Sequence, residues 1–155
     1  MGSGIALVTA EKAGVPVRVQ EMNRKALDNT MGYAYKHLQK KVKRRRLKPV
    51  QAKQIQHHIT GSTDYSGFAN CDLVIEAAFE SLEVKHEVIK NIEKHAPKGV
   101  IIATKTSSIP IIDIAKGAKK PENVIGMHYF SPVEKRPYWK SLRPTKLRIK
   151  PLRQR

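Results

Sequence analysis

Short apolar, β-branched segments alternate with longer amphipathic segments along this sequence, and this alternation restricts the possible fold more than any other feature. Strands are predicted at residues 15–21, 73–75, 100–103 and 124–130. Helices are predicted at residues 2–13, from Asn23 as N-cap into a run of basic residues, and at 50–58, Leu82–His95 and 111–118. Strands that alternate with helices form parallel sheets with helices on both faces. We therefore predict an α/β chain built on a doubly wound parallel sheet.

The positive charge of the chain is concentrated in two segments. Among 155 residues, 30 are Lys or Arg and 13 are Asp or Glu, which gives a net charge of +17. Residues 135–155 contain nine of these cations and no acid, and residues 40–48 contain seven more. The remainder has 14 cations against 13 acids and is almost neutral. A basic surface is typical of nucleic-acid-binding proteins, but here the charge belongs to two segments and not to the whole fold.

Several classes of protein are disfavoured by composition. Cys71 is the single cysteine, which excludes an internal disulfide and a cysteine-rich zinc site. No apolar run approaches the roughly 18 residues of a membrane span, and no signal peptide is visible at the start. His57 and His58 have no second pair of ligands nearby in sequence, so no metal site is expected.

Gly2, Gly4 and Glu21 form a candidate dinucleotide site. Glycines at the start of a helix let a pyrophosphate approach the backbone, and an acid at the end of the next strand binds ribose hydroxyls. Glu21 lies 19 residues after Gly2, which is the spacing of that pattern. Each feature alone also has an ordinary explanation, as a helix start or a solvated carboxylate. Their combination favours a dinucleotide.

Three further segments carry a resemblance to one family. Residues 72–82 read DLVIEAAFESL, residues 104–111 read TKTSSIPI, and residues 121–133 read PENVIGMHYFSPV. In order and spacing they resemble the 3-hydroxyacyl-CoA dehydrogenase family, over residues 1 to about 135. This family uses NAD to oxidise L-3-hydroxyacyl-CoA to 3-ketoacyl-CoA in fatty acid β-oxidation. Ser131 stands where bacterial members have Asn, which favours mitochondrial members and a location in the matrix.

The resemblance implies a role for each matching residue. Ser107 is expected to contact the substrate hydroxyl and the cofactor, and His128 to act as general base, because imidazole accepts and returns protons near neutral pH. The expected NAD-binding residues are Gly2, Gly4, Glu21, Ala78, Phe79, Glu80, Lys85, Ser107 and Ser131. The implied partner is a 3-hydroxyacyl-CoA substrate, with no specific nucleic acid.

Four departures from the family pattern lead us to expect little or no activity. The sequence starts at the third glycine of the Gly-rich motif, so the Rossmann-like sheet is expected to lack its first strand. Lys105 replaces Asn beside the catalytic centre, and Lys140 stands where the family has the Glu that orients the catalytic His. The helical C-terminal domain, which carries most oligomer contacts, has no counterpart. We expect a partial NAD-binding domain at residues 1–134 and a disordered tail at residues 135–155.

The tail has a specific interpretation. The family stretch Leu-Leu-Glu-Ile-Ile-Thr-Thr-Asp-Lys-Thr-Ser has a permitted coding string that, read one base later, translates as residues 138–148 of this sequence. We therefore hypothesise that residues from about Arg136 onward are a frameshifted reading, and that Lys140 replaces the catalytic Glu for this reason. The rival interpretations are a basic protein that binds nucleic acid or anionic surfaces, and a non-functional pseudogene product.

The basic run at residues 40–48 has its own alternatives. It is predicted near the end of a long helix, where cations are favoured by the helix dipole, and a solvated face is the ordinary interpretation. Contact with the phosphates of coenzyme A or with anionic lipid is the functional alternative.

Overall fold

The computed structural model describes residues 1–130 and 132–133, together with the backbone of residues 139–142. Within these residues, five α-helices and six strands follow in chain order. The helices are α1 (Gly2–Val8), α2 (Arg24–Lys43), α3 (Pro49–His58), α4 (Leu82–His95) and α5 (Ile111–Ala115). The strands are β1 (Val17–Gln20), β2 (Ile59–Ser62), β3 (Leu73–Glu76), β4 (Ile101–Thr104), β5 (Val124–Tyr129) and β6 (Trp139–Leu142).

The ends of the first two helices follow from local chemistry. Helix α1 continues as a π-helical turn to Ala13 and ends at Gly14, whose φ of +66° is a conformation that glycine adopts without steric cost. Helix α2 begins after Asn23, whose Oδ1 accepts a hydrogen bond from the Ala26 backbone N–H at 2.9 Å. Both boundaries confirm the sequence-based prediction.

The sheet topology confirms the parallel, Rossmann-like α/β class. Strands β1 and β2 pair in parallel with Val17 opposite Ile59. Strand β3 pairs in parallel with β4, and β4 with β5, so that the second sheet has the order β3-β4-β5-β6. The described strands thus form two separate sheets.

The chain forms two compact units, and the first is built mainly from Met1–Cys71. Its core joins helices α1, α2 and α3 to strand β2. Apolar residues share this core because each helix turns one apolar stripe inward. The buried members are Leu7, Ala10, Ala34, Leu38, Ala52 and Ile59, with Val17, Val19, Met31, Val42, Leu47 and Ile55 packed against them.

The second unit is built mainly from Asp72–Lys94 and Lys98–His128. It contains β3, β4 and most of β5, together with nearly all of α4 and the whole of α5. Buried aliphatic side chains come from all of these elements: Val74, Ile89, Ile92, Ile102, Ile114 and Val124. This packing fixes the carboxyl ends of three parallel strands next to one another, which is where doubly wound proteins place their ligands.

Two elements differ from the sequence-based expectation. Strand β2 was not predicted, because Thr60, Gly61 and Ser62 look like a turn, whereas pairing with β1 makes them a strand. Strand β6 lies within the tail for which disorder was expected, and its four residues extend the second sheet beside β5. No helix in the described part of the chain is both long enough and apolar enough to cross a bilayer.

Candidate functional site

Ser107 and His128, the two residues predicted to be catalytic, meet at the short segment of the second unit that follows β4. Ser107 belongs to this segment, and His128, on β5, makes a hydrogen bond to it. The His128 Nδ1 lies 3.3 Å from the Thr106 backbone carbonyl, which can only accept, so Nδ1 donates. In the neutral tautomer that makes this hydrogen bond, the imidazole lone pair is on Nε2. Ser107 is the residue after Thr106, and its side chain is exposed.

Glu80 holds this segment in place. Its Oε1 accepts hydrogen bonds from the Ser107 N–H at 2.9 Å, from the Ser108 N–H at 3.3 Å and from the Thr106 hydroxyl at 2.5 Å. The Thr106 Oγ1 also accepts from the Ile109 N–H at 3.0 Å. One carboxylate oxygen therefore accepts hydrogen bonds from three consecutive residues of this loop. These hydrogen bonds fix the backbone that carries Ser107.

These hydrogen bonds change the acidity of Glu80. Partial burial on its own raises the pKa of the carboxyl, but the donors from Thr106, Ser107 and Ser108 outweigh it and lower the pKa to about 2. Glu80 is therefore ionised at any physiological pH. It is not suited to proton transfer, and its charge serves to hold the loop.

Beneath this loop lies a buried ion pair between Glu76 and Lys85. Both side chains are completely buried, and the Lys85 Nζ lies 2.8 Å from Glu76 Oε2 and 2.9 Å from the Lys105 carbonyl oxygen. Glu76 also accepts from the Thr104 hydroxyl at 2.5 Å and from the Ala78 N–H at 2.6 Å. The pair thereby connects the ends of β3 and β4 to helix α4.

Lys85, which the family resemblance expects near the cofactor, is buried in the second unit. Its ammonium makes hydrogen bonds to Glu76 and to a backbone carbonyl, and none of its side chain reaches the surface. A buried charge is retained only where partners satisfy it, and these hydrogen bonds satisfy the Lys85 ammonium. Lys85 therefore supports the strand ends, and its place beside the cofactor stays a prediction.

The residues that do face outward are Ala78, Phe79 and Ser107. All three are exposed, and the Phe79 side chain is 77% exposed. An exposed aromatic ring beside the loop that carries Ser107 is suited to cover a planar ligand. Lys105 lies beside them, with its ammonium 4.0 Å from Glu80 Oε2 and its side chain 19% exposed.

In the first unit, hydrogen bonds through Thr30 connect Glu21 to Ser3 at the start of α1. The Ser3 hydroxyl lies 2.9 Å from the Thr30 hydroxyl, which donates to Glu21 Oε1 at 2.8 Å. Gly4 is buried at the start of α1, and Glu21 is half-buried directly after β1. The start of α1 and the strand-end carboxylate therefore belong to one polar network.

Sequence reasoning missed the supporting residues. Thr30, Glu76 and Thr106 were not assigned any role, although each has a signal in the sequence. Glu76 ends an otherwise apolar strand, and Thr106 directly precedes the predicted Ser107. Ser131, a predicted cofactor ligand, lies outside the described residues. No cluster of three or more His, Cys, Asp or Glu residues suited to hold a metal occurs in the described ranges.

Comparison with known proteins identifies the pattern. Residues 1–138 match the family described as "3-hydroxyacyl-CoA dehydrogenase, NAD binding domain". The fatty acid oxidation complex subunit alpha of Shewanella oneidensis is 50% identical over 137 residues, which cover 88% of this chain and 19% of that protein. The counterpart from Shewanella baltica gives the same values. The chain thus spans about a fifth of the length of these relatives.

Solved structures agree with the sequence match. The (S)-3-hydroxybutyryl-CoA dehydrogenase PaaH1 of Ralstonia eutropha is similar with a TM-score of 0.89 and 31% identity, over 95% of this chain and 52% of that one. The 3-hydroxybutyryl-CoA dehydrogenase of Escherichia coli has a TM-score of 0.80 and 36% identity, over 85% of this chain and 28% of that one.

One expectation from the sequence is wrong. The mitochondrial location rested on Ser131, a single position, whereas the relatives with 50% identity are Shewanella proteins, and bacteria have no mitochondrial matrix. One residue at a motif position carries far less information than identity along 137 residues.

Proposed function

This chain belongs to the 3-hydroxyacyl-CoA dehydrogenase family through its NAD-binding domain, and we propose that its site derives from one that oxidises L-3-hydroxyacyl-CoA to 3-ketoacyl-CoA with NAD, with little or no turnover by this chain itself. Two hydrogen bonds carry this proposal. His128 Nδ1 donates to the Thr106 carbonyl, and the N–H of the next residue, Ser107, donates to Glu80. A base and a hydroxyl group held on one rigid loop at the carboxyl ends of parallel strands suit the dehydrogenation of an alcohol.

Each residue has a defined task in this proposal. Bound NAD supplies the hydride acceptor for carbon 3 of the substrate. The His128 Nε2 takes the proton from the 3-hydroxyl group, while Nδ1 keeps its hydrogen bond to Thr106. Ser107, with its exposed hydroxyl, orients the substrate oxygen, and Phe79 excludes water from one side.

The first unit supplies residues for the adenosine half of NAD. The start of α1, with Gly2 and the buried Gly4, leaves room for the backbone to approach a pyrophosphate. Glu21 accepts a hydrogen bond from Thr30 at one oxygen, and a carboxylate can accept more than one donor. It is therefore suited to bind ribose hydroxyls while remaining part of the network.

We expect NAD binding without appreciable turnover. The Lys105 ammonium stands beside Glu80, next to the loop that carries Ser107, and introduces a bulky cation where the family has a neutral amide. A displacement of reacting groups by about 1 Å costs on the order of a hundredfold in rate. Lys140 adds a second departure, since a cation replaces the carboxylate that orients the catalytic imidazole in the family.

NAD binding tests the cofactor half of the proposal. Titration calorimetry on the purified chain is expected to show binding, and Glu21→Ala is expected to weaken it by roughly ten- to a hundredfold, as for a lost hydrogen bond to a charged group. Glu122→Ala removes an exposed carboxylate in the second unit and serves as the control. Equal affinity of the two variants would contradict the role of Glu21.

Turnover tests the catalytic half. NADH formation from 3-hydroxybutyryl-CoA is expected to be negligible in the natural chain and to rise in the double variant Lys105→Asn, Lys140→Glu. Adding His128→Asn to that variant is expected to remove the gain by about a hundredfold or more, as for the loss of a general base. A natural chain that turns over like a complete enzyme would refute the expectation of low activity.

A further inference from the structure

The first unit presents a long stretch of chain without any acidic residue. No Asp or Glu occurs between Asp28 and Asp64, whereas nine Lys or Arg residues do. Six of these cations are exposed around the connection between α2 and α3: Lys40, Lys43, Arg44, Arg45, Arg46 and Lys48. A seventh, Lys41, is paired with Glu11. Among the described residues, no acidic side chain forms an ion pair with any of those six.

Backbone hydrogen bonds hold the segment that carries these cations. The Arg44 N–H donates to the Lys40 carbonyl at 3.2 Å, and the Arg45 N–H donates to the Val42 carbonyl at 2.8 Å. Arg45 has a φ of +54°, the left-handed conformation that usually ends a helix at glycine. Pro49 then starts α3. The positive charges are therefore concentrated at one tight connection between two helices.

Aliphatic side chains lie among these cations. A surface depression of about 490 Å³ is lined by Val42, Arg45, Arg46, Leu47, Lys48, Pro49 and Gln51. Directly beside it, the Val50 side chain is 68% exposed. Cations around an aliphatic depression, with an exposed valine next to it, complement a ligand that has a phosphate group and a hydrocarbon part.

We propose that this basic surface, residues 40–51, docks on membranes that contain anionic phospholipids. The Lys and Arg side chains contact lipid phosphates, and Val50 enters the region between headgroups and acyl chains. Clustered cations next to apolar side chains bind anionic leaflets, because electrostatic attraction and apolar burial add together. Phosphate contacts alone would also serve a nucleic acid, but the exposed Val50 beside the depression favours a lipid surface.

Cosedimentation of the full chain with vesicles tests this proposal. We expect binding to vesicles of phosphatidylcholine and phosphatidylglycerol, and much weaker binding to phosphatidylcholine alone. The triple variant Arg44→Gln, Arg45→Gln, Arg46→Gln is expected to lose about a hundredfold in affinity for the anionic vesicles, because each removed cation acts close to the surface. Val50→Ser keeps every charge and is expected to weaken binding by about fourfold, through the loss of apolar burial.

Two charge-matched controls make the outcome specific. Lys90→Gln, Lys94→Gln, Lys98→Gln removes three exposed cations from the second unit, and Arg143→Gln, Arg148→Gln, Arg153→Gln removes three from the tail. Each is expected to change affinity by less than about threefold, because neither set belongs to the basic surface at residues 40–51. An equal loss in all three triple variants, or equal binding to neutral vesicles, would overturn the proposal. So would binding to a DNA duplex that depends on Arg44–Arg46 when binding to vesicles does not.

Discussion

At the scale of single residues, Glu80 shows how one carboxylate is used to shape a site. Its Oε1 accepts from Thr106, Ser107 and Ser108, so this carboxylate fixes the loop that carries Ser107. Such charge-assisted hydrogen bonds are stronger than neutral ones. Resemblance to the family assigns this residue to cofactor binding, and the hydrogen bonds give it a positioning task that exists before any ligand arrives.

This positioning task predicts a pH dependence. The pKa of Glu80 is lowered from its ordinary value of 4.5 to about 2, so its stabilising effect is complete above about pH 4.5 and is lost as the pH falls through about 2. Glu80→Gln is therefore expected to lower the melting temperature at neutral pH, and this difference from the natural chain should shrink below pH 4.5. Thermal unfolding across the pH range measures it. Glu122→Gln, at an exposed carboxylate, should show no such convergence.

The buried pair of Glu76 and Lys85 predicts a larger effect. Lys85→Met leaves the Glu76 carboxylate buried without its cation, which is expected to cost about 3–5 kcal/mol in the free energy of unfolding. The double variant Lys85→Met, Glu76→Gln removes the uncompensated charge and is expected to recover a substantial part of that loss. Urea denaturation measures both. A double variant no more stable than the single one would show that the ion pair is not the source of the effect.

At the scale of elements, the chain directly after helix α5 packs closely against helix α4, where Gly117 lies next to His86. A Cβ added to Gly117 would lie 2.3 Å from the His86 ring carbon Cδ2, and the His86 Nε2 donates to the Asp113 carbonyl at 2.8 Å. The ring therefore has little freedom to move away. Only a residue without a side chain fits between the helix end and this ring.

The two glycines at 117 and 32 provide a matched pair of predictions. Gly117→Ala is expected to destabilise the protein by about 1–3 kcal/mol, as for overpacking. Gly32→Ala lies inside α2 with nothing within 4 Å of its new methyl group, and it is expected to stabilise by about 0.5–1 kcal/mol through helix propensity. Urea denaturation of both variants checks the signs. Destabilisation by both would contradict the assignment of the effect to His86.

Helix and strand assignments differ in how well the sequence predicts them, and the reason is physical. Helix α4 has the predicted bounds Leu82–His95, because its apolar residues recur at helical spacing over four turns. Strand β2 has no comparable pattern. Residues Thr60, Gly61 and Ser62 become a strand because they pair with β1. The paired residues are far apart in sequence, since Val17 and Ile59 are separated by 42 positions.

At the scale of the whole molecule, the tail remains the feature with the most direct test. The family match ends at residue 138, close to the position near 136 where we propose that the reading frame changes. Sequencing of the transcript is expected to show that restoring the frame places Glu at position 140. A transcript whose other frame does not encode the family's Leu-Leu-Glu motif would disprove the hypothesis.

The sequence by itself determined the fold class, most of the helices and strands, and the identity of the candidate catalytic pair. These follow from local periodicity and from three motifs that carry Glu80, Ser107 and His128. The tertiary structure alone decided what surrounds them. Glu80 holds the Ser107 loop and Lys85 is buried against Glu76, because hydrogen bonds between residues 9 to 28 positions apart form only when strand ends meet. Short-range patterns predict elements, but only packing determines which polar groups face a ligand and which satisfy one another.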